Sequence, residues 1–108
     1  MTNIRYDEEN CCLTMRGHAG AAPAGQDLVC AALSALIFTL AEAVEDSRET
    51  LLPSVVRKEG EMRVCCRPLS GHRKTCRTIF RTVFAGCELL SREYPEHVRA
   101  VRTGQEGY

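Results

Sequence analysis

Polar and apolar residues alternate at the start of the chain. Ile4 and Tyr6 fall on one side, and Asn3, Arg5 and Asp7 on the other, the two-residue period of a half-buried strand over 2–7. Glu8-Glu9-Asn10 breaks the pattern as a polar turn, and Cys11 to Gly17 reads as the second strand of a hairpin. Residues 19–26 hold four alanines, two glycines, a proline and a glutamine, too little side chain to pack firmly, and predict a mobile loop. From Asp27 the period changes. Leu28, Val29, Leu33, Leu36, Ile37, Leu40 and Val44 cover most of a helical circumference, and polar groups gather only at Glu42, Glu45 and Asp46. A largely buried helix is expected over 27–46, with Asp27 as its N-cap.

Pro53 ends the following connection. Residues 54–58 and 61–67 read as a second hairpin around Glu59-Gly60, with Met62, Val64 and Cys66 on one face. Pro68 and Gly71 break it. Cys76, Ile79, Phe80, Val83, Cys87, Leu90 and Tyr94 then recur at three- and four-residue steps, an amphipathic helix over 73–93 whose other face carries Arg73, Arg77 and Arg81. Pro95 ends it, residues 98–102 form a last strand, and 103–108 are expected to fray. The fold class is therefore α+β: a five-strand sheet with two helices, in the order β-β-α-β-β-α-β. Two helices cannot cover both faces of such a sheet, so an uncovered apolar patch favouring a dimer is expected.

A chain of 108 residues makes one domain, 1–108. No apolar run reads as reaching the roughly 20 residues of a membrane span, and no leader-like segment opens the sequence, so a cytoplasmic protein with no membrane partner is expected. Seven cysteines (11, 12, 30, 65, 66, 76, 87) could suggest a disulfide scaffold. Their odd number, the two adjacent pairs and the absence of an export signal favour reduced thiols, mostly small core residues. No Cys-x-x-Cys knuckle is present, and alternate strand residues point to opposite faces, so neither a metal nor another cofactor is expected. Net charge is zero but unevenly spread: residues 1–56 hold three arginines against eight carboxylates, and 57–108 hold eleven cations against six. The acidic half suits a basic peptide.

That acidic half contains the candidate chemistry. With Asp27 as N-cap, Cys30 stands third in the helix, where the N-terminal partial charge favours a thiolate. The unpaired amides of 28–30 could receive an oxyanion. His18, at the end of the second strand, can take the thiol proton and return it to a leaving amine if the 19–26 loop folds back. Each residue alone has a plainer reading: Cys30 as an inert core thiol, His18 as a surface group, Asp27 as a cap. His72, in a basic loop, and His97, near the last strand, compete poorly.

The stretch Gly17-His18-Ala19-Gly20, followed by Gly25-Gln26-Asp27-Leu28-Val29-Cys30-Ala31-Ala32-Leu33-Ser34-Ala35-Leu36, closely resembles the ribosomal-processing cysteine protease family, Prp. The shared pattern is G-H-A, a short loop, then G-x-D-hydrophobic-V-C-A-A/G-x-S-A, about twenty residues. The resemblance implies a cysteine endopeptidase with Cys30 as nucleophile and His18 as base, and Gly17, Asp27 and Ser34 in support. It implies a homodimer, and as partner the N-terminal extension of a large-subunit ribosomal protein, removed to support ribosome assembly. It further implies cleavage after an aromatic residue, hence an apolar pocket beside Cys30. Ala21-Ala22-Pro23-Ala24 departs from relatives that carry a tyrosine or acidic residue there, so no substrate contact is assigned to 21–24.

Two other readings compete. The run Arg63, Arg67, Arg73, Lys74, Arg77, Arg81, with no carboxylate between Glu61 and Glu88, is the alternative of a non-catalytic ribosome- or RNA-associated binding protein. Direct RNA binding is not expected of it, because no aromatic residues are interleaved. Cys11/Cys12 and Cys65/Cys66 could instead make a thiol redox switch.

Overall fold

The computed structural model describes residues 1–17 and 24–104, except the side chains of 24–27. In chain order the elements are β1 (Thr2–Asp7), β2 (Cys12–Arg16), α1 (Ala24–Asp46), α2 (Arg48–Leu51), β3 (Pro53–Lys58), β4 (Glu61–Cys66), α3 (Arg73–Glu93) and β5 (Val98–Thr103). The sheet order is β3-β4-β2-β1-β5. All neighbours pair antiparallel except β1 and β5, which run parallel and so need the long crossover that α1, α2 and α3 help supply.

Register places the apolar alternation on one face. Ile4 and Tyr6 of β1 stand level with Met15 and Leu13 of β2, and these with Met62 and Val64 of β4. Val29, Leu33, Ile37, Leu40 and Val44 of α1 close over that surface, as do Cys76, Phe80, Val83, Phe84 and Cys87 of α3. The Tyr6 ring lies 5.7 Å from Phe80 and 5.5 Å from Phe84, so one strand residue joins the sheet to the full-length stripe of α3. The opposite face of the sheet presents Asn3, Arg5, Arg16, Arg63 and Arg99 to solvent. It is polar, so the expected bare apolar patch is not on the sheet. Exposed apolar side chains are scattered, with Val101 on β5 and Leu89 on α3, and include Leu28 and Phe38 of α1, 74% and 47% accessible.

Several boundaries differ from expectation. Helix α1 starts at Ala24, three residues before Asp27, so Ala24-Gly25-Gln26 belong to the helix and not to the loop. Alanine and glutamine are good helix formers and a preceding proline suits a helix start, signals that carry no hydrophobic period. Residues 19–23 of the expected loop lie outside the described residues, as do 105–108 of the expected tail; Thr103 is the last residue of β5. The third helix, α2, was not expected. It is a single turn closed by Leu52 at φ 46°, whose N–H donates to the Arg48 carbonyl, too short to show a period. Leu28–Asp46 is, by length and composition, apolar enough to cross a bilayer, contrary to the sequence reading, because its carboxylates cluster at one end. In this fold it is the helix that packs the sheet's core.

Cysteine pairing also differs. Cys12 and Cys65 face each other across β2 and β4 with Cα atoms 4.1 Å apart and form a disulfide, correcting the expectation that all seven are reduced thiols. The register brings together residues 53 apart in sequence, which spacing alone does not reveal. Their neighbours Cys11 and Cys66 turn to the other face and remain buried thiols. Cys12→Ser is expected to lower unfolding free energy by about 2–4 kcal/mol in urea under oxidising conditions. With dithiothreitol present, the variant and wild type should melt together.

Candidate active site

The C-terminal end of β2, the first residue of β1, the second turn of α1 and the β3–β4 turn meet around one cleft of about 440 Å³. Leu33, Phe38, Met15 and Met62 make its apolar walls, and Cys30, Ser34, Thr2 and Gly17 line it beside Arg57, Lys58, Glu59, Gly60 and Glu61. Local chemistry sets each approach. Gly17 donates its N–H to the Gly60 carbonyl at 3.1 Å, tying the end of β2 to the β3–β4 turn. A Cβ on Gly17 would stand 2.6 Å from Thr2 Oγ1, so any side chain here would have to displace Thr2. Cys30 is half-buried, and its Sγ lies 3.9 Å from Thr2 Oγ1.

Of the site residues expected from sequence, Cys30, Ser34 and Gly17 are brought into this one cleft. His18 lies outside the described residues; the residue before it, Gly17, is on the cleft wall. Asp27 lies within α1, and its side chain is not described. The expectation that Asp27 caps the helix is corrected by the start at Ala24. Cys30 is then the seventh helical residue, and the N–H groups of 28–30 fall where a helix pairs them with carbonyls four residues back. The open amides belong to the turn beginning at Ala24. The helix charge is felt chiefly within that first turn, so it reaches Cys30 less than expected.

Sequence reasoning missed Thr2, Phe38 and the β3–β4 turn. Thr2 had a signal: it shares the inward parity of Ile4 and Tyr6, yet is polar. The cleft's described charges, Arg57 and Lys58 against Glu59 and Glu61, balance, so the acidic surroundings expected for a basic peptide are not reproduced among them. Glu61 is held below the ordinary carboxylate range by its hydrogen bond from Arg16, which outweighs desolvation, with Lys58 and Arg63 adding to the effect. Among the described residues no group of three His, Cys, Asp or Glu side chains is placed to hold a metal ion.

The thiols differ sharply from one another. Cys11, Cys66, Cys76 and Cys87 are buried, whereas Cys30 opens on the cleft. Burial, then Glu88, pushes the Cys87 thiol up to about 12. For Cys76 the hydrogen bond with Cys11 pulls down, but that with Cys66 and burial push up, to about 12. Such thiols hold roughly one thiolate in ten thousand at pH 8. Iodoacetamide at that pH should therefore modify Cys30 first, and Cys76 and Cys87 only after unfolding. Peptide mass mapping checks the order.

Four of the six cations in the run of the RNA-binding alternative have partners within the fold. Glu8 is buried beside Arg77 Nε at 3.7 Å and Arg102 Nε at 3.6 Å, and it also pairs with Arg81. Arg73 donates to the Glu9 carbonyl, and Arg63 approaches Glu61 on the far side of the sheet. These residues form no single basic face.

A family model described as cysteine protease Prp matches residues 1–99. The chain belongs to the cysteine protease Prp family. Its fold is shared by the essential ribosomal processing protease Prp from S. aureus, solved with a covalently linked product peptide. The two are 21% identical with a TM-score of 0.76, over 95% of this chain and all of that one. The same S. aureus protease with a substrate peptide gives 21% identity and a TM-score of 0.73, over 94% of this chain and 97% of that one. A protein from Streptococcus mutans gives 22% and 0.71, over 96% of this chain and 93% of that one. No curated protein matches the sequence. As a Prp-family member the chain is a cysteine protease, and its half-buried cysteine opens on the described cleft.

Proposed function

We propose that this cysteine protease removes the N-terminal extension of a large-subunit ribosomal protein, with Cys30 as nucleophile and His18 as its base. The observation that carries the reading is Cys30 Sγ on the wall of an apolar cleft that the strand leading to His18 also lines. In the proposed reaction His18 takes the Cys30 proton, and the thiolate sulfur attacks the scissile carbonyl carbon. The tetrahedral adduct collapses to a thioester as His18 protonates the leaving amine. Water, deprotonated by His18, then releases the carboxylate and restores the thiol. Leu33, Phe38, Met15 and Met62 suit an aromatic side chain next to the cleaved bond. Ser34, one turn beyond Cys30, supports the site from the same wall.

The proposed enzyme works in the cytoplasm as a homodimer, for which the exposed Leu28 and Phe38 on α1 offer apolar area. Incubating the purified protein with the extended ribosomal protein of its own organism, then sequencing the new N-terminus, tests the function. A single new terminus just after an aromatic residue is the expected result; an intact substrate would overturn it.

A further inference from the structure

We infer that Thr2 is a positioning residue of this site, its hydroxyl holding the Cys30 sulfur while its side chain packs against Gly17. Thr2 and Glu8 are the buried polar residues of the described core, and Thr2 is 4% exposed. An apolar residue would satisfy the inward parity of β1, where Ile4 and Tyr6 follow at the next two inward positions. A hydroxyl in that place needs a partner, because an unpaired buried one is costly. The partner is Cys30 Sγ at 3.9 Å.

The same side chain also faces the other strand of the cleft. A Cβ on Gly17 would meet Thr2 Oγ1 at 2.6 Å, Thr2 Cβ at 3.1 Å and Thr2 Cγ2 at 3.1 Å. Thr2 thus fills the space between the nucleophile and the residue preceding the proposed base. Its backbone is fixed independently, by the N–H donating to the His97 carbonyl at 2.8 Å and by pairing with Val98. Strand position and side-chain contact can therefore be separated by substitution. Either atom can donate while the thiol is protonated, but only the hydroxyl can donate to a thiolate, which it then favours and orients. The charged groups sharing the cleft are Arg57, Lys58, Glu59 and Glu61, all from β3, β4 and their turn; among the described residues of β1, β2 and α1 none that lines it is charged.

The inference rests on Cys30 being the proposed nucleophile, but its test reads the sulfur directly. Thr2→Val keeps the β-branched shape and removes the hydroxyl; Thr2→Ser keeps the hydroxyl. In the full-length protein, the iodoacetamide rate at Cys30 is followed by mass mapping from pH 5 to 10, beside kcat and KM for the extended substrate. Thr2→Val should move the alkylation midpoint to higher pH and slow Cys30 modification at pH 7 by about three- to tenfold. Its kcat should fall by a similar factor with KM unchanged, and Thr2→Ser should restore both. A Thr2→Val profile superimposable on wild type, or a Thr2→Ser profile equal to that of Thr2→Val, overturns the inference. Failure of the peptidase reading would show separately, as wild-type cleavage by Cys30→Ala with the alkylation contrast intact.

Discussion

Cys30→Ala is expected to abolish cleavage, lowering kcat by about 10^4-fold or more, while the variant melts within about 1 kcal/mol of wild type. Removing one sulfur from the wall of an open cleft leaves no closed cavity, and water in the cleft can take its place beside the Thr2 hydroxyl, so the fold loses little. In the proposed reaction the acyl group loses its covalent partner. His18→Ala should fall to a similar level, and the double variant should be no worse than either alone, because nucleophile and base act as one unit. Discontinuous cleavage assays with mass detection measure all three. Independent, multiplying losses would show that the two residues do not share a step.

Glu8→Ala should produce a large loss of stability, about 3 kcal/mol from a total of roughly 5–15. Glu8 is 2% exposed and lies among Arg77, Arg81 and Arg102, so its carboxylate offsets their mutual repulsion. The arginine side chains are 24%, 42% and 36% exposed, which lets solvent screen part of the change and sets the figure at the lower end for a buried pair. Urea denaturation monitored by circular dichroism gives the value. A loss under about 0.5 kcal/mol would mean that the cluster contributes nothing beyond what water supplies. Because Glu8 ends the β1 side of the first turn, the variant should leave Cys30 alkylation unchanged in the folded protein.

What could be read from the sequence divides along physical lines. The two-residue period of Ile4 and Tyr6, and of Met62, Val64 and Cys66, fixed both strands and the face they bury. The stripe from Cys76 to Cys87 placed α3 to the residue. Helix α1 was located but begun too late, because Asp27 carries a capping signal while Ala24-Gly25-Gln26 carry no period. Pairing register was illegible, and with it the Cys12–Cys65 bridge and the parallel union of β1 with β5. For the site, the Gly17-His18 and Asp27 to Ser34 motif marked the segment, and the cleft contains its Cys30, Ser34 and Gly17. Thr2 and the β3–β4 turn were missed since they come from distant parts of the chain, joined only by the sheet, whereas Phe38, one turn beyond Ser34 on α1, was within reach of the helical period.

The parallel seam between the first and last strands also sets the order in which the protein can become active. Thr2 is clasped by the carbonyl of His97, and β1 gains its second neighbour only from Val98–Thr103. During synthesis the sulfur-bearing helix and its strands emerge before β5, so that clasp must wait for residues 97–103 to clear the exit tunnel. A nascent chain therefore carries an unfinished cleft until residues 97–103 are free to pair with β1.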